Sequence, residues 1–115
     1  MPIQTTTQGP RTLNDLPSAP ADCIVSEMLL KTRNGSTTHF SFAEGEFLHH
    51  HATPFEALLV VLSGKAEVSV SLDHYVLDAG DFIRLPATVP HSVRASEDMQ
   101  MLLIMLRADE PRFAA

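Results

Sequence analysis

Short apolar runs, each closed by turn residues, are the feature that most constrains the fold of this chain. Between residues 24 and 107 every apolar run ends at a turn signal such as Asn34-Gly35 before it reaches the length of an ordinary helix. From Ala66 to Leu72, apolar and polar residues alternate with a period of two, which is typical of a half-buried strand. Short strands at near-regular spacing predict an all-β sandwich or barrel with little or no helix.

The apolar runs and their closing turns also predict the individual strands. These are expected at residues 24–31, 37–42, 57–62, 66–72, 75–77, 82–85 and 99–106. The last run is apolar on both phases of the alternation, so both of its faces should be covered. His39 and His74 lie beside turn residues and are expected on the surface.

The size of the chain limits it to one hydrophobic core. With 115 residues, it is expected to form a single barrel domain over 21–115. Residues 1–20 carry four prolines and are expected to form an arm that is irregular or pairs with a partner subunit. Since one small barrel covers 99–106 poorly, we expect a homodimer with this strand or the arm at its interface. The alternative is that the arm folds back over the strand within one chain.

Charge and composition argue against several classes of partner. Eight Lys and Arg against fourteen Asp and Glu give a net charge of −6, which argues against nucleic-acid binding. No apolar run is long enough to cross a bilayer, and no signal-peptide pattern opens the chain. We therefore expect a cytoplasmic protein without a membrane partner. The single cysteine excludes an internal disulfide and a cysteine-based zinc site.

Histidines supply the candidate functional residues. In a strand, His49 and His51 share one face, and imidazoles two residues apart on an inward face can converge on one metal ion. His91 follows Pro86 and Pro90, and the two prolines stiffen the turn that directs its imidazole. The histidines predict a metal site formed by His49, His51 and His91 that is weakly metallated or empty.

Two segments resemble the motifs of the cupin superfamily, whose members fold as jelly-roll barrels, also called double-stranded β-helices. The first family motif is a glycine, five residues, a histidine, one residue, a second histidine, three or four residues, a glutamate, six residues and a glycine. Gly45, His51 and Gly64 fit it. The second motif begins with a glycine, five residues and a proline and continues to a histidine. Gly80, Pro86 and His91 fit that spacing.

The resemblance implies an incomplete metal site. On this frame Thr53 replaces the second ligand histidine and Ala57 replaces the ligand glutamate, while Thr88 replaces a glycine of the second motif. The family's barrel interior holds small organic molecules, so the resemblance implies a pocket lined by His51, His91, Thr53 and Ala57. The local sequence around Thr53 is similar to that of small single-domain bacterial cupins, most of which have no assigned activity.

A rival register restores four ligands. His49, His51 and Glu56 also have the ligand spacing of the first motif, and His91 would complete the set. Because side chains alternate along a strand, Glu56 points outward wherever Ala57 points inward, unless a β-bulge intervenes.

Several function classes remain open, because a fold alone does not choose among them. The resemblance implies a small-molecule ligand. It also implies that the cofactor is a divalent transition metal (iron, manganese, nickel or zinc) or that there is none. The main hypothesis is a small cupin of unassigned function with a histidine-lined pocket. One alternative is a metal-dependent dioxygenase, isomerase or decarboxylase of a small acid or sugar. The others are a metal-free enzyme with His51 or His91 as general base, and a non-catalytic binding or sensory module.

Overall fold

The structure, a computed structural model, describes residues 9–50 and 53–108, with the backbone alone at His50. Over these residues the chain forms nine strands and one short 3-10 helix, Leu13–Asp15. The strands are β1 (Ile24–Thr32), β2 (Gly35–Phe42), β3 (Phe47–His50), β4 (Phe55–Ser63), β5 (Lys65–Val70), β6 (Asp73–Asp78), β7 (Phe82–Leu85), β8 (His91–Ala95) and β9 (Met99–Arg107). The all-β prediction is confirmed.

The strands form two antiparallel sheets that enclose one core. The five-stranded sheet has the order β1-β2-β9-β4-β7, and the four-stranded sheet has the order β3-β8-β5-β6. Alternate residues of the strands face inward, as the period-two pattern predicts, except in β1, which is exposed from Met28 to its end beyond a register shift. Leu59, Val61 and Met101 of the first sheet meet Val68 and Val93 of the second in this core. Two packed antiparallel sheets with these crossovers are the jelly roll that the sequence predicts.

The predicted strands agree with the observed ones except at a few points. Neither β3 nor β8 is among the predicted strands, because β3 is only four residues long and the apolar residues of β8 are interrupted by Ser92 and Arg94. Leu72 was expected within a strand but lies in the turn after β5, where it is 89% exposed. Gly64 separates β4 from β5 with a φ of +79°, and the carbonyl of Asp98 leaves no room there for a Cβ atom.

The strand β9 is covered fully on its inner face and partly on its outer face. Met99, Met101 and Leu103 are buried in the core, while Leu102 and Ile104 on the outer face are half-buried. None of the described segments forms a helix long and apolar enough to span a membrane.

The described part of the N-terminal arm folds back onto the outer face of the five-stranded sheet within the same chain. The backbone N–H of Ala19 donates to Ser41 Oγ at 2.8 Å, and Arg11 forms an ion pair of 2.7 Å with Glu27. These two contacts flank His39, which is only 1% exposed and lies 3.0 Å from Gln100 Oε1 through its Nε2. The prediction that His39 lies on the surface is therefore wrong, because the arm crosses the sheet at this point.

Candidate functional site

The turn that precedes His91 is held in place by a carboxylate from the neighbouring sheet strand. Glu56 Oε2 accepts the backbone N–H of Ala87 at 3.0 Å, and Glu56 Oε1 accepts from Arg84 Nε at 2.7 Å. These bonds fix the chain just after β7, and charge-assisted bonds are the stronger kind. Glu56 thus positions the turn without belonging to the barrel interior.

A second set of bonds ties the same turn to the start of β4. The backbone N–H of Thr88 donates to the carbonyl oxygen of Thr53 at 2.7 Å, and the hydroxyl of Thr53 accepts from the N–H of Phe55 at 3.3 Å. Thr88 adopts a φ of +65°, in the left-handed region that favours glycine, at the position where the family motif has its glycine. Thr53 therefore lies beside the turn, and its hydroxyl has a structural role.

His91 begins β8 directly after this turn and is half-buried. Burial lowers the pKa of its imidazole below the ordinary value, because the charged form loses hydration. Burial therefore favours the neutral form of the imidazole. Its Nδ1 lies 3.4 Å from the carbonyl oxygen of Val89, which accepts a hydrogen bond when that nitrogen carries the proton.

Glu56 does not join His91 as a metal ligand. The register between β4 and β9 runs without a bulge from Phe55 to Val61, so Glu56 faces outward and Ala57 inward. The hydrogen bond from Arg84 and the N–H of Ala87 hold the pKa of the Glu56 carboxyl below its usual value. The hypothesis of a four-ligand site with His49, His51, Glu56 and His91 requires a shifted register in β4, and it is therefore wrong.

The position of the family's ligand glutamate is occupied by a methyl group in the core. Ala57 is 8% exposed and pairs with Leu85 on one side and Met105 on the other. No carboxylate enters the barrel at this position, and Ala57 packs within the hydrophobic core.

His49 lies on the outer face of the four-stranded sheet, not on the inward face predicted for it. Leu48 packs against the core, so the alternation turns Phe47 and His49 outward, where their rings meet at a centroid distance of 5.6 Å. His49 and His91 line one small depression of about 120 Å³ with Ser69, Ser71, Pro90 and Ser92. His51 and the side chain of His50 lie outside the described residues, so a site with His51 stays a prediction.

The described residues do not assemble a metal site. Over 9–49 and 53–108, no three His, Cys, Asp or Glu side chains lie close enough together to hold an ion. Of the expected metal ligands, this part of the chain supplies only His91 to the barrel interior, since His49 and Glu56 face outward.

Sequence reasoning missed the positioning role of Glu56. The register pairs Leu58 with Arg84, which places Arg84 one strand away from Glu56 on the same outer face. Opposite charges on one face of neighbouring strands are a recognisable signal for a cross-strand ion pair. The bond to Ala87 had no such signal, because it depends on the path of the turn.

Comparison with known proteins agrees with the geometry of the barrel and its motifs. The model of the cupin domain family Cupin_2 matches residues 38–107. The chain belongs to this family. It is also similar to a conserved protein of unknown function from Streptococcus pyogenes, with 31% identity, coverage of 77% of this chain and 78% of that one, and a TM-score of 0.73. A cupin superfamily protein from Desulfitobacterium hafniense shares the fold at 24% identity, covering 90% of this chain and 94% of that one with a TM-score of 0.82.

One curated relative has a named activity. Quercetin 2,3-dioxygenase of Bacillus subtilis is 43% identical over 47 residues, which is 41% of this chain and 14% of that protein. The match thus spans about one seventh of the dioxygenase.

Proposed function

We propose that this cupin binds a small organic molecule at the barrel end marked by His91, and that it does so without a tightly held metal ion. The observation that carries the proposal is the rigid placement of a half-buried, neutral imidazole at the end of the barrel. Glu56 and Thr53 fix the turn on two sides, so little conformational entropy is lost when a ligand engages His91.

The state of the imidazole indicates the chemistry of the ligand. A neutral imidazole donates through one nitrogen, and its other nitrogen accepts a hydrogen bond for which a ligand can supply the hydrogen. Hydroxyl groups and protonated carboxyl groups are the ligand groups that supply such a hydrogen. We therefore propose a hydroxy acid or a similar small oxygen-bearing molecule as the ligand class.

The donor set supports binding without a tightly held ion. A catalytic metal usually takes three protein ligands and keeps one open position. Here the family's carboxylate position is the methyl group of Ala57, and the hydroxyl of Thr53 already accepts from the backbone of Phe55. With His51 added, two histidines would hold a divalent ion weakly.

The test measures metal content first and ligand binding second. Protein purified without a nickel column is analysed for iron, manganese, nickel and zinc, and a panel of hydroxy acids is then screened by thermal shift. We expect less than about a tenth of an equivalent of metal, and a ligand-dependent shift that His91→Ala abolishes. His74→Ala, which removes an exposed histidine from the other end of the sheet, is the matched control. About one equivalent of bound metal, or the same shift in His91→Ala, would contradict the proposal.

A metal-dependent dioxygenase is the second candidate, favoured by the match to quercetin 2,3-dioxygenase over 47 residues. The described residues do not provide its ligand set, so this activity would depend on His51. Oxygen consumption with quercetin, after loading with each metal in turn, distinguishes the candidates. Turnover that requires the metal and disappears in His51→Ala would favour the dioxygenase over simple binding.

A further inference from the structure

A trough on the outer face of the four-stranded sheet lies outside the barrel. It adjoins the small depression at His91 and shares His49, Ser69 and Ser92 with it, but His91 does not line it. Its volume is about 580 Å³, within the range of roughly 300–1,000 Å³ that small-molecule sites occupy. From its lining we infer a second binding site on this face, for a neutral sugar of one or two rings.

The strand register explains why the surface is concave here. His49, Ser92, Ser69 and His74 are direct partners in one row across β3, β8, β5 and β6. Small serines occupy the two middle strands, while larger side chains stand on the two outer ones. The outer strands lie about 14 Å apart, three times the usual strand spacing, which leaves room for two linked sugar rings.

The floor of the trough offers hydroxyl groups. Ser69 Oγ and Ser92 Oγ lie 2.7 Å apart, and one donates to the other. The pair then keeps one O–H donor and several acceptor lone pairs for a ligand. A polyhydroxylated ring, whose groups both donate and accept, matches such a mixed floor.

Besides His49 and His74, the walls carry exposed apolar side chains two residues further along the outer strands. Phe47 is 53% exposed on one side, and Val76 is 62% exposed on the other. The face of an aromatic ring carries partial negative charge and attracts the polarised C–H groups of a sugar. Phe47 is therefore the residue on which we expect a sugar ring to stack.

The charges of the trough favour a neutral ligand. Its two charged side chains, Arg94 and Glu67, are paired with each other at 3.6 Å, and Ser96 Oγ also donates to Glu67 at 3.3 Å. A charged ligand would have to displace one partner, whereas a hydroxyl can bond to either ion without separating them. The net charge of −6 disfavours anions further. His49 and His74 stand three strands apart, too far to share a metal ion.

To test this inference, the full isotope-labelled chain is titrated separately with glucose, galactose, maltose and cellobiose. Binding is detected as changes in NMR chemical shifts. We expect saturable changes at Phe47, Ser69 and Ser92, and affinity reduced roughly ten-fold or more by Phe47→Ala or Ser69→Val. Phe82→Ala, which removes an exposed ring from the other sheet, should leave binding unchanged.

One further variant separates this site from the proposed site at His91. His91→Ala should lose hydroxy-acid binding but retain sugar binding, so failure of one proposal can be distinguished from failure of the other. The inference is overturned if none of the four sugars binds at about 100 mM, or if Phe47→Ala binds as well as the parent. Glucuronate is titrated as a charged comparison. The inference is also overturned if glucuronate binds and the neutral sugars do not, or if the sugars change the NMR signals mainly around His91.

Discussion

The outer faces of the two sheets differ far more than their inner faces do. Both sheets present apolar side chains to the shared core. On its outer side the five-stranded sheet presents an apolar surface, here called the apolar face, formed by Leu58, Val60, Phe82, Leu102, Ile104 and Leu106, with the Glu56–Arg84 ion pair beside it. The outer side of the four-stranded sheet, here called the polar face, has serines and histidines and the looser Glu67–Arg94 ion pair.

This difference indicates what covers each face. Phe82 is 68% and Leu106 57% exposed, and both adjoin the half-buried Leu102 and Ile104. An exposed apolar patch that charged and polar residues border often marks an interface. The described part of the N-terminal arm contacts the adjacent part of the sheet near His39. We therefore expect a second copy of the chain on the apolar face, while the polar face stays open to solvent and small ligands.

The largest expected effect is that a charged residue placed in the apolar face dissociates the expected dimer. Ile104→Lys buries an unpaired ammonium group in the proposed interface, so the dimer should weaken by at least about 100-fold and the protein should elute as a monomer. Light scattering coupled to size-exclusion chromatography measures the mass. Ser92→Lys, at a central position of the polar face, is the matched control and should remain dimeric. A monomeric parent, or a dimeric Ile104→Lys, would break the comparison.

A smaller difference is expected between the ion pairs of the two faces. Glu56 bonds Arg84 at 2.7 Å and the N–H of Ala87 at 3.0 Å, whereas Glu67 and Arg94 are 3.6 Å apart and half-exposed. Glu56→Gln should therefore lower the free energy of unfolding at pH 7 more than Glu67→Gln does, since an exposed, loose pair contributes little. Urea unfolding of both variants measures the difference.

The pH dependence sharpens the same prediction. Arg84 and the N–H of Ala87 lower the pKa of Glu56 below its ordinary value of 4.5, so its stabilisation is complete above that pH and is lost as the pH falls through the folded-state pKa. The gap between the parent and Glu56→Gln should accordingly close in acid. If the difference in unfolding free energy persists unchanged at about pH 3, the shape of the Glu56 side chain rather than its negative charge stabilises the turn.

The fold could be predicted from the sequence because alternation and turn signals are local. Strand β7 was predicted at its observed bounds, and Gly64 and Gly80 mark turns that only glycine adopts easily. The inward or outward direction of β3 could not be predicted in the same way. With three histidines in succession, only the packing of Leu48 decides that His49 faces outward.

Long-range contacts account for the remaining differences. The burial of His39 depends on an arm about twenty residues earlier in the chain, and the bond from Ala87 to Glu56 spans 31 residues. Such contacts leave no periodic trace in the sequence. His91 stands out in the sequence by its motif spacing, but the state of its imidazole depends on burial and on the turn that Glu56 fixes.

The smallest expected effect is a change in stability on substituting two residues that adopt positive φ angles. They lie in the turns that lead to the two proposed sites. Thr88, with a φ of +65°, lies in the turn fixed by Glu56, and Ser71, with a φ of +56°, follows β5 on the four-stranded sheet. Both keep a backbone bond that glycine would also make, from Thr88 to Thr53 and from Ser71 to Pro90.

Thr88→Gly should stabilise the fold by up to about 1 kcal/mol, and Ser71→Gly by less. A left-handed residue with a side chain costs about 1–2 kcal/mol, most for a β-branched one, and glycine loses roughly 0.5–1 kcal/mol of this gain through its freer unfolded state. Urea unfolding of the two variants measures both values. If Thr88→Gly is instead the less stable of the two, Thr88 is not strained in this turn. If it is more stable but binds ligand more weakly at His91, the strained threonine is retained because it keeps the turn rigid.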